Sequence, residues 1–328
     1  MFAGAILLVA MATLPVVAEA QTAGAPLVLE TKIPLGDVSG RIDHLALDMK
    51  RQRLFVAELG NNSLGVVDLA AGTLLRRIVG LNEPQGVAYA PFVDSVFVAN
   101  AGDGSVRVLR GDDFAPIGRI ELADDADNVR VDTKHNRVLV GYGKGALAVI
   151  DPTTRSKVAD IRLKAHPESF QIDETGTQVF VNVPDARDIE VVDLATGSTR
   201  SLPMQMGGSN FPMAVDAEAH RVLVVFRRPP ILLALSSQDG QVMARADTCS
   251  DADDVFVDGK RRRVYISCGE GLIDVLEPAE TGYRRLARVP TVSGARTSLF
   301  VPELDRLFVA VRARSSEPAA IWVFRAVP

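Results

Sequence analysis

The sequence predicts an all-β fold: a seven-bladed β-propeller of four-stranded antiparallel blades, closed into a ring by its first strand. Three observations predict it. An apolar position recurs at Leu54, Val96, Val138, Val179, Val222, Val264 and Leu307, at spacings of 42, 42, 41, 43, 42 and 43 residues. A period near forty marks a repeat architecture, because one such unit cannot bury its own apolar face. Within each unit the apolar residues alternate with a period of two and are punctuated by hairpin turns, and no helical period of 3.6 persists. The last unit, Thr297 to Val327, holds only three strands, while Leu27 to Leu35 is a lone strand without a unit. That first strand is therefore expected to become the outer strand of the last blade, leaving no open sheet edge.

The elements follow in order within a unit. In the second unit, Val96 to Asn100 is followed by Asp103-Gly104, a pair suited to the positive φ angles of a tight hairpin, and then by Val106 to Leu109. Asn61-Asn62 and Lys144-Gly145 fill the same place in neighbouring units, and turns such as Asp68 to Gly72 and Asp193 to Gly197 lead to a fourth short run. Each unit is thus a four-stranded meander.

Ahead of the ring, Ala3 to Val17 is an apolar run ending in Ala18-Glu19-Ala20, a small-x-small pattern that reads as a signal peptide spanning 1–20, although Lys and Arg are absent before Lys32. The remainder, 21–328, reads as one propeller domain with no membrane span, in a periplasmic or secreted protein. With 36 Lys plus Arg against 41 Asp plus Glu and 5% aromatics, the chain carries no electrostatic or stacking footprint for nucleic acid.

The two cysteines, Cys249 and Cys268, fall on the top face of the sixth blade, the face that carries the blade-to-blade connections. An oxidising compartment permits a disulfide there; two separate buried thiols are the alternative, since sequence does not fix their Cα separation.

Units such as Arg53 to Ala57 with Ser63 to Asp68, and Val96 to Asn100 with Ser105 to Val108, resemble the YVTN-repeat β-propeller family. The resemblance covers essentially the whole chain after the leader. It implies an exported bacterial propeller, related to propellers of surface-layer proteins and of quinoprotein or haem enzymes. The chain has no Cys-x-x-Cys-His motif, so covalent c-type haem is not expected.

Function has to be read from a site. The start of each innermost strand lines the top mouth of a propeller's channel. The family's Pro-x-Gly-Val pattern there is kept only as Pro84-Gln85-Gly86-Val87. The other units carry Asp43-His44, Asp127-Asn128, Glu168-Ser169, Asn210, Asp253-Asp254 and Arg296-Thr297. Four or more carboxylates, a histidine and several amides are therefore expected to converge on one axis. Glu58 and Asn100, at the ends of second strands, and Arg41, Arg227 and Arg296 are expected to add a second layer.

Hard oxygen ligands suit Ca²⁺, Mg²⁺ or Mn²⁺, with Asp127, Glu168, Asn210 and Asp253 as the tentative set and His44 or His166 as nitrogen donors. Set against this, Asp and Asn at strand starts commonly cap turns, and the arginines serve equally well as counterions. The opposite rim, with Lys50-Arg51, Lys134-His135, His220-Arg221 and Lys260 to Arg263, is expected to be basic.

No Gly-x-Ser-x-Gly, His-Glu-x-x-His, P-loop or dinucleotide motif is present. Three readings follow. The first is a scaffold holding an unknown small ligand or envelope protein at the top mouth. The second is a metal-dependent hydrolase or lyase resembling propeller lactonases. The third is an accessory subunit of an envelope oxidoreductase. The first is preferred, because the lactonase reading matches its ligands by residue type alone.

Overall fold

A computed structural model describes residues 24–204, 208–314 and 317–328; the expected leader lies outside them. The described chain forms seven four-stranded antiparallel sheets arranged as blades. Blade 1 runs from Leu45–Asp48 to Thr73–Val79, blade 2 from Pro84–Ala90 to Pro116–Glu121, blade 3 from Ala126–Asp132 to Ser156–Arg162 and blade 4 from Phe170–Ile172 to Thr199–Pro203. Blade 5 spans Gly208–Asp216 to Val242–Asp247, and blade 6 spans Ala252–Asp258 to Gly282–Pro290. Blade 7 contains Ser298–Val301, Arg306–Val311 and Ala319–Ala326, and takes its outer strand from Leu27–Gly36.

That last pairing is antiparallel, from Leu27 opposite Ala326 to Gly36 opposite Ala319. It joins the two ends of the described chain in one sheet, as the lone strand of the sequence requires. Among the described residues, no helix is long and apolar enough to cross a membrane.

The recurring apolar positions are buried because blades pack face to face. Between blades 2 and 3, Phe97, Val108, Val129, Val138 and Ile150 share one cluster. Between blades 7 and 1, Ile33, Leu54, Val56, Phe308 and Ile321 share another. Full burial of one such side chain is worth about 1.5–3 kcal/mol.

The turn between first and second strands closes in every blade with a residue at positive φ: Gln52, Asp94, Asn136, Gly176, His220, Arg262 and Asp305, at 46° to 75°. Only blade 4 uses glycine. The hairpin expected at Asn61-Asn62 is instead a 3₁₀ turn, Leu59–Asn61, ended by Asn62 at φ 53°.

Part of the rim expected to be basic is neutralised within the fold. Arg51 bridges Asp48 and Asp94 at 2.8 and 2.7 Å, and Arg261 bridges Asp258 and Asp305 at 3.0 and 2.8 Å. Lys260 also meets Asp305 at 2.7 Å. These cations tie neighbouring blades together and are committed within the fold.

Candidate functional site at the top mouth

The register places one residue of each blade at the same height around the mouth. Counting back four residues from the first-strand partner of each recurring apolar position gives Asp43, Gln85, Asp127, Glu168, Phe211, Asp253 and Arg296. All seven line a single cavity of about 240 Å³, with Arg41, His44, Asp125, Asn128, His166, Ser169 and Arg227 completing its wall.

The local backbone explains this convergence. In blades 2, 3, 5 and 6 the ladder slips near the start of the first strand: between Pro84 and Val87, Ala126 and Val129, Asn210 and Met213, and Ala252 and Asp254. A bulge inserts an extra residue and re-aims side chains, which is how Asp127 and Asn128 both reach the cavity. The residue before the last paired position ahead of each slip is in the left-handed region: Glu83, Asp125, Ser209 and Asp251, with φ between 39° and 60°. Gly86 is obligatory for a different reason, since a Cβ there would lie 2.0 Å from the Asp127 carbonyl oxygen of the next blade.

The bulge also shifts one expectation by a residue. Asn210 precedes the blade 5 bulge, is buried, and donates from Nδ2 to Asn182 Oδ1 at 3.1 Å; Phe211 takes the place at the mouth. Three further residues lie elsewhere. Glu58 is buried in blade 1, where it accepts from Arg77 Nε at 2.9 Å and from the Ser63 hydroxyl. Asn100 closes its own hairpin, donating to the Val98 and Ser105 carbonyls at 3.1 and 3.2 Å. Asp254 faces a second cavity below the mouth and accepts the Ser298 N–H at 2.7 Å. Arg41, Asp43, His44, Gln85, Asp127, Asn128, Glu168, Arg227, Asp253 and Arg296 all line the mouth.

Sequence reasoning missed Phe211 and Asp125 as wall residues and Asp251 as an ion-pair partner, while Ser169 lines the mouth as expected. The repeated Asp-Ala-Asp at Asp125 to Asp127 and Asp251 to Asp253 was the available signal for the two aspartates. It marks a left-handed residue, a paired residue and a bulge in the same order in both blades.

Charges at the mouth are balanced from within. Arg296 Nη1 donates to both carboxylate oxygens of Asp251 at 2.7 and 2.8 Å, and its Nε lies 2.9 Å from Asp253 Oδ2. Arg227 bonds Asp253 through Nη2 and the Ala252 carbonyl through Nε at 2.8 Å, and its guanidinium lies over the Phe211 ring at 3.9 Å. Across the cavity, His166 Nδ1 meets the Gly143 carbonyl at 2.6 Å, with Asp125 and Asp127 oxygens at 3.6 and 3.9 Å.

Burial, reinforced by neighbouring carboxylates, pushes Asp43 and Glu168 up to about 8. Burial opposes charge on His166, but its contacts with Asp127, the Gly143 carbonyl and Asp125 outweigh that and hold it up at about 9. At neutral pH the wall therefore offers acid O–H donors, an imidazolium and guanidinium N–H groups beside the remaining carboxylates.

The tentative metal quartet is not assembled. Asn210 is committed to Asn182, Asp253 to two arginines, and among the described residues no three His, Cys, Asp or Glu side chains are arranged to hold a metal ion. Four buried polar atoms of wall residues are without an internal hydrogen bond: Asn128 Oδ1, Arg41 Nε, Asp43 Oδ2 and Arg296 Nε. Asp43 Oδ2 lies 2.7 Å from Arg41 Nη2 but out of hydrogen-bond alignment.

Cys249 and Cys268 are joined in a disulfide with Cα atoms 5.9 Å apart, pinning the connection into blade 6 beside Asp251 and Asp253.

These features define a β-propeller with a polar, pre-formed mouth. No family model and no curated protein matches the chain. Among solved structures it is similar to a chain of a mitotic checkpoint complex, with TM-score 0.79, 11% identity and 98% of this chain on 97% of that one. It is also similar to a chain of Kuenenia stuttgartiensis hydrazine synthase, with TM-score 0.62, 16% identity and 84% of this chain on 94% of that one. At such identities the likeness is one of fold.

Proposed function

We propose that this protein is an exported, YVTN-type propeller that binds a compact, net-neutral polar molecule at its top mouth without turning it over. The observation that carries the reading is Asn128: 98% buried, it lines a cavity ringed by one residue from every blade, and its Oδ1 has no internal hydrogen-bond partner. A buried acceptor left unsatisfied costs about 1–3 kcal/mol, which a ligand hydroxyl or ammonium donor offsets. Protonated Asp43 and Glu168, with Arg41 Nε, ask for acceptors in the same ligand.

At about 240 Å³ the cavity is smaller than the roughly 300–1,000 Å³ of drug-sized sites. That size favours a monosaccharide, a polyol or a free amino acid over a peptide. Export is supported by the apolar run Ala3 to Val17, the Ala18-Glu19-Ala20 pattern and the disulfide.

The test is a thermal-shift panel of monosaccharides, polyols and amino acids at pH 7 on the wild type and on Asn128→Leu. A saturable rise in melting temperature, absent in the variant, supports the reading. A wild type that responds to no compound, but retains one envelope protein through the mouth residues, replaces it with a protein-binding role.

A further inference from the structure

Beneath the mouth the channel opens into a second, larger cavity of about 490 Å³. His44 lines both compartments and stands between them. The lower wall is built by the same register logic. Counting back one residue from the first-strand partner of each recurring position gives a ring of Ala46, Ala88, Arg130, Gln171, Ala214, Phe256 and Leu299, all of which line the cavity. Three alanines leave the space, and six of the seven residues are uncharged. Leu45, Leu47, Val87, Val131, Val255 and Val301 extend an apolar wall above and below.

Arg130 is the exception. Its guanidinium makes one hydrogen bond within the chain, from Nη1 to the adjacent Val129 carbonyl at 2.9 Å, and lies 5.5 Å from the centroid of the Phe170 ring. Among the described residues no carboxylate comes within 4 Å of it, whereas Arg51, Arg77, Arg227, Arg261 and Arg296 each have one. Desolvation destabilises its charge, with Asp254 and Asp127 compensating from a distance. The chamber also holds His44, Ser298, Glu303 and the Asp254 carboxylate, none of which bonds Arg130, so its guanidinium fork keeps free N–H groups for a ligand carboxylate beside the aliphatic part of the wall.

We propose that the lower chamber is a binding site for an aliphatic monocarboxylate, with the carboxylate on Arg130 and the chain along the apolar wall toward Met49 and Pro302. Gln171 does not compete for the carboxylate, because its Nε2 already donates to the Met213 carbonyl at 3.0 Å. The chamber lies within the volume range of small-ligand sites. The site is independent of the mouth: it uses none of Asn128, Asp43 or Glu168.

The test is isothermal titration calorimetry of the whole chain with hexanoate, octanoate and decanoate below their micelle concentrations, alongside decanol and decyltrimethylammonium. The expected result is one saturable site for decanoate, with affinity rising about three- to fourfold per methylene along the series. Decanol and the ammonium should bind at least tenfold more weakly. Arg130→Met should abolish the preference for carboxylate, and Arg130→Lys should retain part of it. Absence of saturable decanoate binding, or equal binding of decanol, overturns the proposal, and those wild-type comparisons decide it even if the Arg130 variants do not fold. Full retention of the preference in a folded Arg130→Met overturns it too.

Discussion

Arg296 and Asp253 meet at 2.9 Å, Nε to Oδ2, across the junction of blades 6 and 7. Arg227 reaches the other oxygen of the same carboxylate from blade 5, so one aspartate ties three blades together at the mouth. Both guanidiniums are mostly shielded, with side-chain exposures of 17% and 18%. Asp253→Ala removes their shared partner but leaves Asp251 in place. The expected loss is roughly 1–3 kcal/mol, less than for a fully buried pair, measured by urea denaturation.

Stability should fall as pH rises across the mouth's titration range. Asp43 and Glu168 hold their protons to about 8 in the fold, against ordinary values near 4. Their raised values favour the fold fully only below pH ~4, and this contribution is lost as pH rises through about 8. His166 acts in the same sense, losing its contribution between its ordinary ~6.5 and about 9. The wild-type melting temperature should therefore decline from pH 5 to 9. The decline should be shallower in the double variant Asp43→Asn, Glu168→Gln. An equally steep decline in that variant would contradict the assignment.

Gly86→Ala should be costly out of proportion to one methyl group. Its Cβ would meet the Asp127 carbonyl oxygen at 2.0 Å and Val129 Cγ2 at 2.9 Å, so the backbone of blade 2 or blade 3 must move. A loss above about 2 kcal/mol is expected by chemical denaturation. Gly72→Ala, where a Cβ meets nothing within 4 Å but φ is 66°, should cost only the roughly 1–2 kcal/mol of left-handed backbone.

Replacing both Cys249 and Cys268 with serine should lower stability by about 3 kcal/mol, the loop-closure value for a bridge spanning about twenty residues. A nonreducing mass measurement of the native protein should show the mass of the bonded pair.

The fold was legible because burial imposes a period: each unit repeats the apolar face its neighbours need. Ring closure was legible because the last unit lacked a strand and the first had one to spare. The mouth was legible to the residue in six of seven blades, since polar side chains at strand starts have no core to face. Blade 5 failed because nothing in Ser209-Asn210-Phe211-Pro212 distinguishes the paired residue from the bulged one. The turns that close with Gln52, Asp94, Asn136, His220, Arg262 and Asp305 in the left-handed region were invisible for a related reason: tertiary packing holds ordinary residues in a conformation that glycine would have announced. Arg130 went unnoticed because its significance is the absence of a partner, which only three-dimensional neighbours reveal.

The central claim is that the mouth is a polar ligand site organised around Asn128. Its most direct test is the thermal-shift panel carried to a full titration at pH 7 with the strongest monosaccharide, polyol or amino acid found. The account predicts saturable stabilisation of the wild type at one ligand per chain, and at least a tenfold weaker response in a folded Asn128→Leu. A response that never saturates, or one equal in the variant, would contradict it.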